Sequence, residues 1–481
     1  MQMDSYVDGL WLVRLVFQRG LAAIYLVAFL GAFNQFEALL GENGLLPVPI
    51  FLKRSSFREA PSLFHWHYSD RLARGVATSG VILSVLALLG VSESGPLWVS
   101  MTVWLLLWAL YLSIVNVGQR FYAFGWESML LEAGFFAAFL GPAHMAPSPV
   151  PILILRWMLF RVELGAGLIK LRHDPCWRDL TCLNYHYETQ PLPNPLSWYF
   201  HRLPEFMHWF SALFSHLVQV VVPFALFAPQ PWASIAGGLI VFHQLWLIIS
   251  GNYSWLNWVT VVLGVTAFGD PSYIHPQLAS RPHGYEVTLF LLAALTLYLS
   301  IKPTLNLFSK HQLMNFSYNP FHIVGTYGAF GDVTKERYEV VVEGTQELTI
   351  TDTTQWKEYG FRAKPGPLKR RPPQVAPYHL RLDWLMWFIP FSVTVGDGGL
   401  IMSGYDQWFL RFAQKLLEGD RPVLKLLRSN PFPTQPPTYV RALYYRYQYT
   451  SWAARKATGA YWERKLVGEY LSPIRLKNAT I

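Results

Sequence analysis

Arg156, Glu163 and Lys170 stand seven residues apart in an otherwise apolar stretch, with Arg161 between the first two. On a helix this spacing puts the three on one face. Charged groups at membrane depth are costly and turn toward protein or a wet cavity. Such a face could serve a substrate or client role. It could equally hold helices together by Arg–Glu pairing. Glu127 and Glu132, on the preceding apolar segment, are the candidate counter-charges.

Cys176 and Cys182, six apart in CWRDLTC, are the only cysteines of the chain. Outside the cytosol they could close a small disulfide loop; in a cytosolic loop they would stay thiols. Trp177, Arg178 and Asp179 lie between them, and Tyr185, His186, Tyr187 and Glu188 follow. His243, inside an apolar segment, reads as an interior residue. No H-E-x-x-H, C-x-x-C, G-x-x-x-x-G-K-[ST] or G-x-S-x-G occurs, so no metal site and no cofactor is expected.

The elements that must position these residues are mostly membrane helices. Only 14% of the 481 residues are charged and 52% are hydrophobic, whereas soluble domains run near a quarter charged. Segments of roughly 20 apolar residues span a bilayer. The candidates are Trp11–Phe33, Val76–Val91, Leu97–Val117, Trp126–Leu140, Pro151–Leu171, Phe206–Phe227, Trp232–Ser250, Trp255–Phe268 and Tyr285–Ile301. This predicts a polytopic α-helical bundle of about nine helices, with seven as the lower count because 126–140 and 255–268 are short.

Residues 1–301 carry 15 Lys/Arg against 16 Asp/Glu, and residues 302–481 carry 24 against 14. The chain therefore divides into a nearly neutral membrane body (1–301) and a basic, polar region (302–481). The basic surplus suits anionic headgroups or an acidic partner; nucleic acid is excluded, since no binding motif accompanies the charge. In the second part Arg337–Gly344, Leu348–Thr353, Trp356–Ala363 and Tyr439–Thr450 read as strands, the last as an exposed one. Tyr378–Phe388 reads as strand or short helix, and Trp408–Leu417 as a helix. The region is expected to be a membrane-apposed α+β domain with a β-sandwich-like sheet.

Over nearly its whole length the chain resembles the lipase maturation factor family. The resemblance rests on Phe17-Gln-Arg-Gly-Leu21, Gly41-Glu-Asn-Gly-Leu-Leu-Pro47, the Cys176–Cys182 run with Tyr185-His-Tyr-Glu-Thr-Gln-Pro191, and Gly251-Asn-Tyr-Ser-Trp-Leu-Asn257. It continues through Thr326-Tyr-Gly-Ala-Phe-Gly331, Arg337-Tyr-Glu339 and Asn430-Pro-Phe432. The last stretch is Pro377-Tyr-His-Leu-Arg-Leu-Asp-Trp384, with Tyr378, His379, Arg381, Asp383 and Trp384. The resemblance implies a multi-pass protein, in eukaryotes of the endoplasmic reticulum, that assists folding and assembly of secreted lipases through its carboxy-terminal domain. It makes a secreted client the expected partner, beside the lipid bilayer. The chain's length and few cysteines suit a bacterial plasma-membrane member better than an animal one.

A weaker likeness links Gly165-Ala-Gly-Leu-Ile-Lys-Leu171 and Trp177 to the membrane domain of vitamin-K-dependent carboxylases. It implies a rival reading, a membrane-embedded carboxylase-like or transferase enzyme with Lys170 as catalytic base. The Asp174-Pro-Cys insertion departs from that pattern, and no partner histidine can be placed. The cysteine pair and the first resemblance favour an extracytoplasmic carboxy-terminal domain.

Overall fold

The computed structural model describes residues 8–476 except 272, 275, 397, 398 and 403. Among the described residues, six helices are long and apolar enough to cross a membrane: Trp11–Leu40, Asp70–Leu88, Leu97–Asn116, Glu205–Phe227, Trp232–Ser250 and His283–Phe308. The other three predicted segments are helical too, but each departs from a simple span. Gly125–Ala137 has 13 residues and Leu256–Val265 has 10. At 1.5 Å per residue they extend roughly 20 and 15 Å, short of the ~30 Å hydrocarbon core. The 24-residue helix Pro149–Arg172 is long enough, yet it carries the charges and is buried along most of its surface. These three pack against the apolar spans, and the spans Glu205–Phe227, Trp232–Ser250 and His283–Phe308 expose Phe210, Phe242, Phe290 and Leu297. Exposed aromatic and aliphatic side chains are what an acyl-chain environment requires of that surface.

Local rules account for the boundaries. Ser69 caps Asp70–Leu88 by accepting the Leu72 N–H, and Ser148 caps the charged helix from the Val150 N–H, just ahead of Pro149. Gly80 has no Cβ to collide with the Phe29 ring, so the first two spans meet closely. Glu205–His216 continues through a π-turn at Leu217–Val221 into a 3₁₀ segment. There Pro223 withholds an N–H from the α-helical ladder. The last span runs to Phe308, past the expected domain boundary at residue 301.

The second region is α+β. Its antiparallel sheet orders Lys357–Glu358, Arg337–Thr345, Tyr439–Tyr449 and Trp462–Ile474 side by side. Val393–Gly396 and Gly399–Met402 form a separate two-stranded ribbon. The sheet meets helices Arg381–Phe388 and Gln407–Leu417, so helices and not a second full sheet complete the core. Tyr439–Tyr449 is a central strand and largely buried, not an exposed one; its flanking strands cover both edges. Leu348–Thr353 forms no strand, and of Trp356–Ala363 only two residues pair as one. β-branched composition alone does not supply a partner edge.

Candidate functional site

The charged helix face is buried, but its members do not form one cluster. Arg156 is 2% exposed, Arg161 1%, Glu163 0% and Lys170 5%. Fourteen residues of helix separate the first from the last by roughly 21 Å, so Arg156 and Arg161 find partners far from those of Lys170. Arg156 donates to the Thr266 carbonyl at 2.6 Å. Arg161 pairs with Glu132 and donates to the Gly325 carbonyl at 2.5 Å. Glu132 in turn accepts the Gly325 N–H (2.9 Å) and the Tyr327 hydroxyl (2.7 Å). Glu163 accepts from Gln244 at 2.7 Å, and Asn257 donates to Gln244 at 2.7 Å. Lys170 donates to Gln219 at 2.7 Å and stands 4.9 Å from the Trp177 ring centre.

Glu127 answers a cation from the other region. Arg381 reaches it at 2.6 Å and also donates to the Phe121 carbonyl at 2.7 Å. The Tyr111 hydroxyl donates to the second Glu127 oxygen. His379 lies 3.7 Å from the same carboxylate, with both ring nitrogens lacking hydrogen bonds. Burial, then the Arg381 charge, push its imidazole down to about 4, leaving it neutral. Gln35 completes the junction by donating to the His379 carbonyl (2.7 Å) and accepting the Arg381 N–H (3.1 Å). Trp384 packs on Trp126 with ring centres 4.9 Å apart, while Tyr378 touches Asn34 from the half-exposed rim.

Asp383 faces away from the bundle. Its Oδ1 accepts the N–H groups of Ala363 (2.6 Å) and Lys364 (3.1 Å). Burial holds its carboxyl above the ordinary 3.8, with the two N–H donors opposing. A raised value means that the fold favours the protonated acid. That contribution is complete below the ordinary value and is lost as pH rises through the raised one. Asp383→Asn keeps the acceptor and removes the titration, so it is expected to melt no lower than the parent at about pH 7. Asp383→Ala leaves two buried N–H groups unpaired and is expected to lose about 2 kcal/mol or more. Thermal melts of both variants from about pH 4 to about pH 8 check this.

The long loop after the charged helix joins bundle and sheet. Cys176 and Cys182 are disulfide-bonded. Asp174 sits beside the two sulfurs, but its carboxylate accepts the N–H groups of Cys176 and Val333, and oxidised sulfurs are not metal ligands. Trp177 donates to the Phe330 carbonyl at 2.7 Å. Gly165 lets this Thr326–Gly331 loop lie on the charged helix, because any Cβ there would meet the Tyr327 carbonyl. The short helix Leu183–Thr189 buries His186 and Tyr187. His186 meets the Tyr253 hydroxyl at 2.8 Å, and burial, then the Lys170 charge, push it down to about 3. Glu188 accepts the Tyr449 N–H at 2.5 Å. Arg178 and Asp179 are exposed, and Tyr185 lies half-buried beneath Lys335.

Sequence reasoning missed Gln219 and Gln244, amides that serve this face, and met Asn257 only within a family run, since neutral polar residues in apolar helices carry no spacing signal. It also missed how Arg337 uses its guanidinium. That group donates to the carbonyls of Glu188 (3.0 Å), Gln190 (2.5 Å) and Pro191 (3.1 Å), while Glu339 balances it at 2.6 Å and Lys364 at 2.7 Å balances Glu339. Beside Lys170 lies an apolar cavity of about 280 Å³, lined by Trp177, His186, Phe210, Phe242, His243 and Phe330 among others.

These features define an integral membrane protein whose buried charges lock an α+β domain onto its helices. Family models described as lipase maturation factor transmembrane domain and lipase maturation factor C-terminal domain match residues 12–274 and 323–472. Lipase maturation factor 1 of Mus musculus is 41% identical over 97% of this chain and 88% of its own length. That of Homo sapiens is 39% identical over 97% and 88%. Lipase maturation factor 2 of Homo sapiens is 30% identical over 98% and 84%. The chain belongs to the lipase maturation factor family. No solved structure matches it. These relatives are animal proteins, so they lend no support to the expected bacterial plasma membrane. Nothing in the comparisons supports the carboxylase-type reading of Lys170.

Proposed function

We propose that this protein is a membrane-embedded maturation factor that assists folding and assembly of secreted, lipase-type clients. The observation that carries the reading is the match of both regions, in order, to relatives named for that role. We divide the chain into a membrane body and a membrane-apposed domain, the first ending with the helix that closes at Phe308. The domain faces the extracytoplasmic side in this reading. Supporting that side is the Cys176–Cys182 disulfide, because such bonds persist in oxidising compartments.

The buried charges act as fasteners in this scheme. Arg381 and Arg337 fix the domain to the bundle and to the loop at residues 188–191, so the client surface is held rigidly at the membrane. The test is complementation. A cell line lacking its own maturation factor is given this chain, and secreted lipase activity per unit of lipase antigen is measured. Restoration by the full chain, together with lipase crosslinked to residues 309–476 in intact membranes, is the expected result. Wild-type abundance of the chain without any gain in lipase activity would overturn the reading.

A further inference from the structure

The cavity under Trp177 and Phe330 has a chemistry that client maturation leaves unused. Its walls are apolar, and two of the lining residues, Phe210 and Phe242, are also 60% and 56% exposed on the outside of the bundle. The mouth therefore faces acyl chains. At the inner end stands Lys170, an ammonium with three donors whose hydrogen bond goes to Gln219. Among the described residues no carboxylate pairs directly with it. Glu163, on the same helix face, is held by Gln244 and still attracts the ammonium from beyond salt-bridge distance. The π-turn at Leu217–Val221 carries Gln219 to this position, and π-turns recur at functional sites. His243 lines the same cavity, is 2% exposed, and its Nδ1 has no hydrogen-bond partner. A buried polar atom of that kind is costly unless something fills its place.

We propose that this cavity binds a long-chain carboxylic acid taken from the membrane, its carboxylate on Lys170 and His243. The alkyl chain lies between the helices Glu205–His216 and Trp232–Ser250, against Phe210, Phe214 and Phe242. Size and charge choose this ligand over a phospholipid. At about 280 Å³ the cavity sits at the small end of ligand sites, roughly 300–1,000 Å³, which suits one chain and not two. One ammonium matches one negative charge, whereas planar bidentate recognition of phosphate favours arginine. The inference concerns this cavity, roofed by Phe330, and stands or falls apart from the maturation role.

Photolabelling of the full-length protein in phosphatidylcholine nanodiscs with a diazirine analogue of palmitic acid tests it. Label is expected in residues 205–216 and 232–250, with oleate displacing it at least about tenfold better than oleyl alcohol does. Lys170→Gln is expected to weaken labelling by about tenfold or more. Ser211→Trp narrows the cavity while leaving the residues Lys170, Gln219 and Glu163 themselves unaltered, and is expected to abolish labelling. Equal displacement by the alcohol overturns the carboxylate assignment, and stronger displacement by lysophosphatidic acid does the same in favour of phosphate. Should Lys170→Gln fail to fold, the narrowing variant decides: a folded Ser211→Trp protein that still labels sinks the proposal.

Discussion

Replacing Arg381 by Met is expected to lower folding stability by about 3–5 kcal/mol, the usual cost of removing one member of a buried ion pair. The guanidinium and the Glu127 carboxylate are both 0% exposed, and they come from different regions of the chain. Without Arg381, Glu127 keeps only the Tyr111 hydroxyl and a neutral His379 as neighbours for its charge. Tyr122 loses the cation stacked 3.4 Å from its ring centre, and the Phe121 carbonyl loses its donor. The measurements are the melting temperature in detergent and the amount of protein retained in membranes. Glu127→Gln combined with Arg381→Met should recover part of the loss, since no unpaired charge then remains. A single variant that melts with the parent would show that the pair contributes nothing to holding the domain. Arg381→Lys is not a rescue, because one ammonium cannot span both Glu127 and the Phe121 carbonyl in the guanidinium's fork geometry.

The second large effect is expected at Glu132. Four groups converge on this carboxylate or its partner: Arg161, the Gly325 N–H, the Tyr327 hydroxyl and the Gly325 carbonyl. Glu132→Ala leaves Arg161, 1% exposed, without its counter-ion and strips two donors of their acceptor. A loss of about 3–5 kcal/mol follows on the same grounds. It should show locally as well as globally. The Thr326–Gly331 loop roofs the cavity through Phe330 and receives the Trp177 indole N–H, so hydrogen exchange at residues 325–331 should rise before the bundle melts. Glu132→Gln, which keeps an acceptor but not the charge, should fall between parent and alanine. If exchange in that loop is unchanged in Glu132→Ala, the carboxylate does not organise it.

Much of the architecture was legible along the chain, because bilayer thickness imposes a length and composition that few other folds share. Trp232–Ser250 has the same bounds in sequence and structure. The helices at 125–137 and 256–265 were recognisable as short, and their packing inside the bundle explains why they can be. Strands were less legible. Trp462–Ile474 went unrecognised, and Leu348–Thr353 was assigned a strand it does not form. Strand formation depends on which edge is available, and that edge lies at Tyr439–Tyr449, more than a hundred residues from the first strand it pairs with at Arg337.

The site divides the same way. Heptad spacing put Arg156, Glu163 and Lys170 on one helix face, and all three are buried, since intramembrane charge has few tolerable orientations. Spacing could not tell which partner each would find. Glu127 and Glu132 lie five residues apart on one helix, yet one answers a cation on a neighbouring helix and the other a cation from the distant domain. The sequence by itself determined that these charges exist, lie in an apolar body and must be buried. Only the tertiary structure decided how they are matched, because a charge selects its counter-ion by distance across the packed core, and that distance is set by chain crossings no linear spacing records.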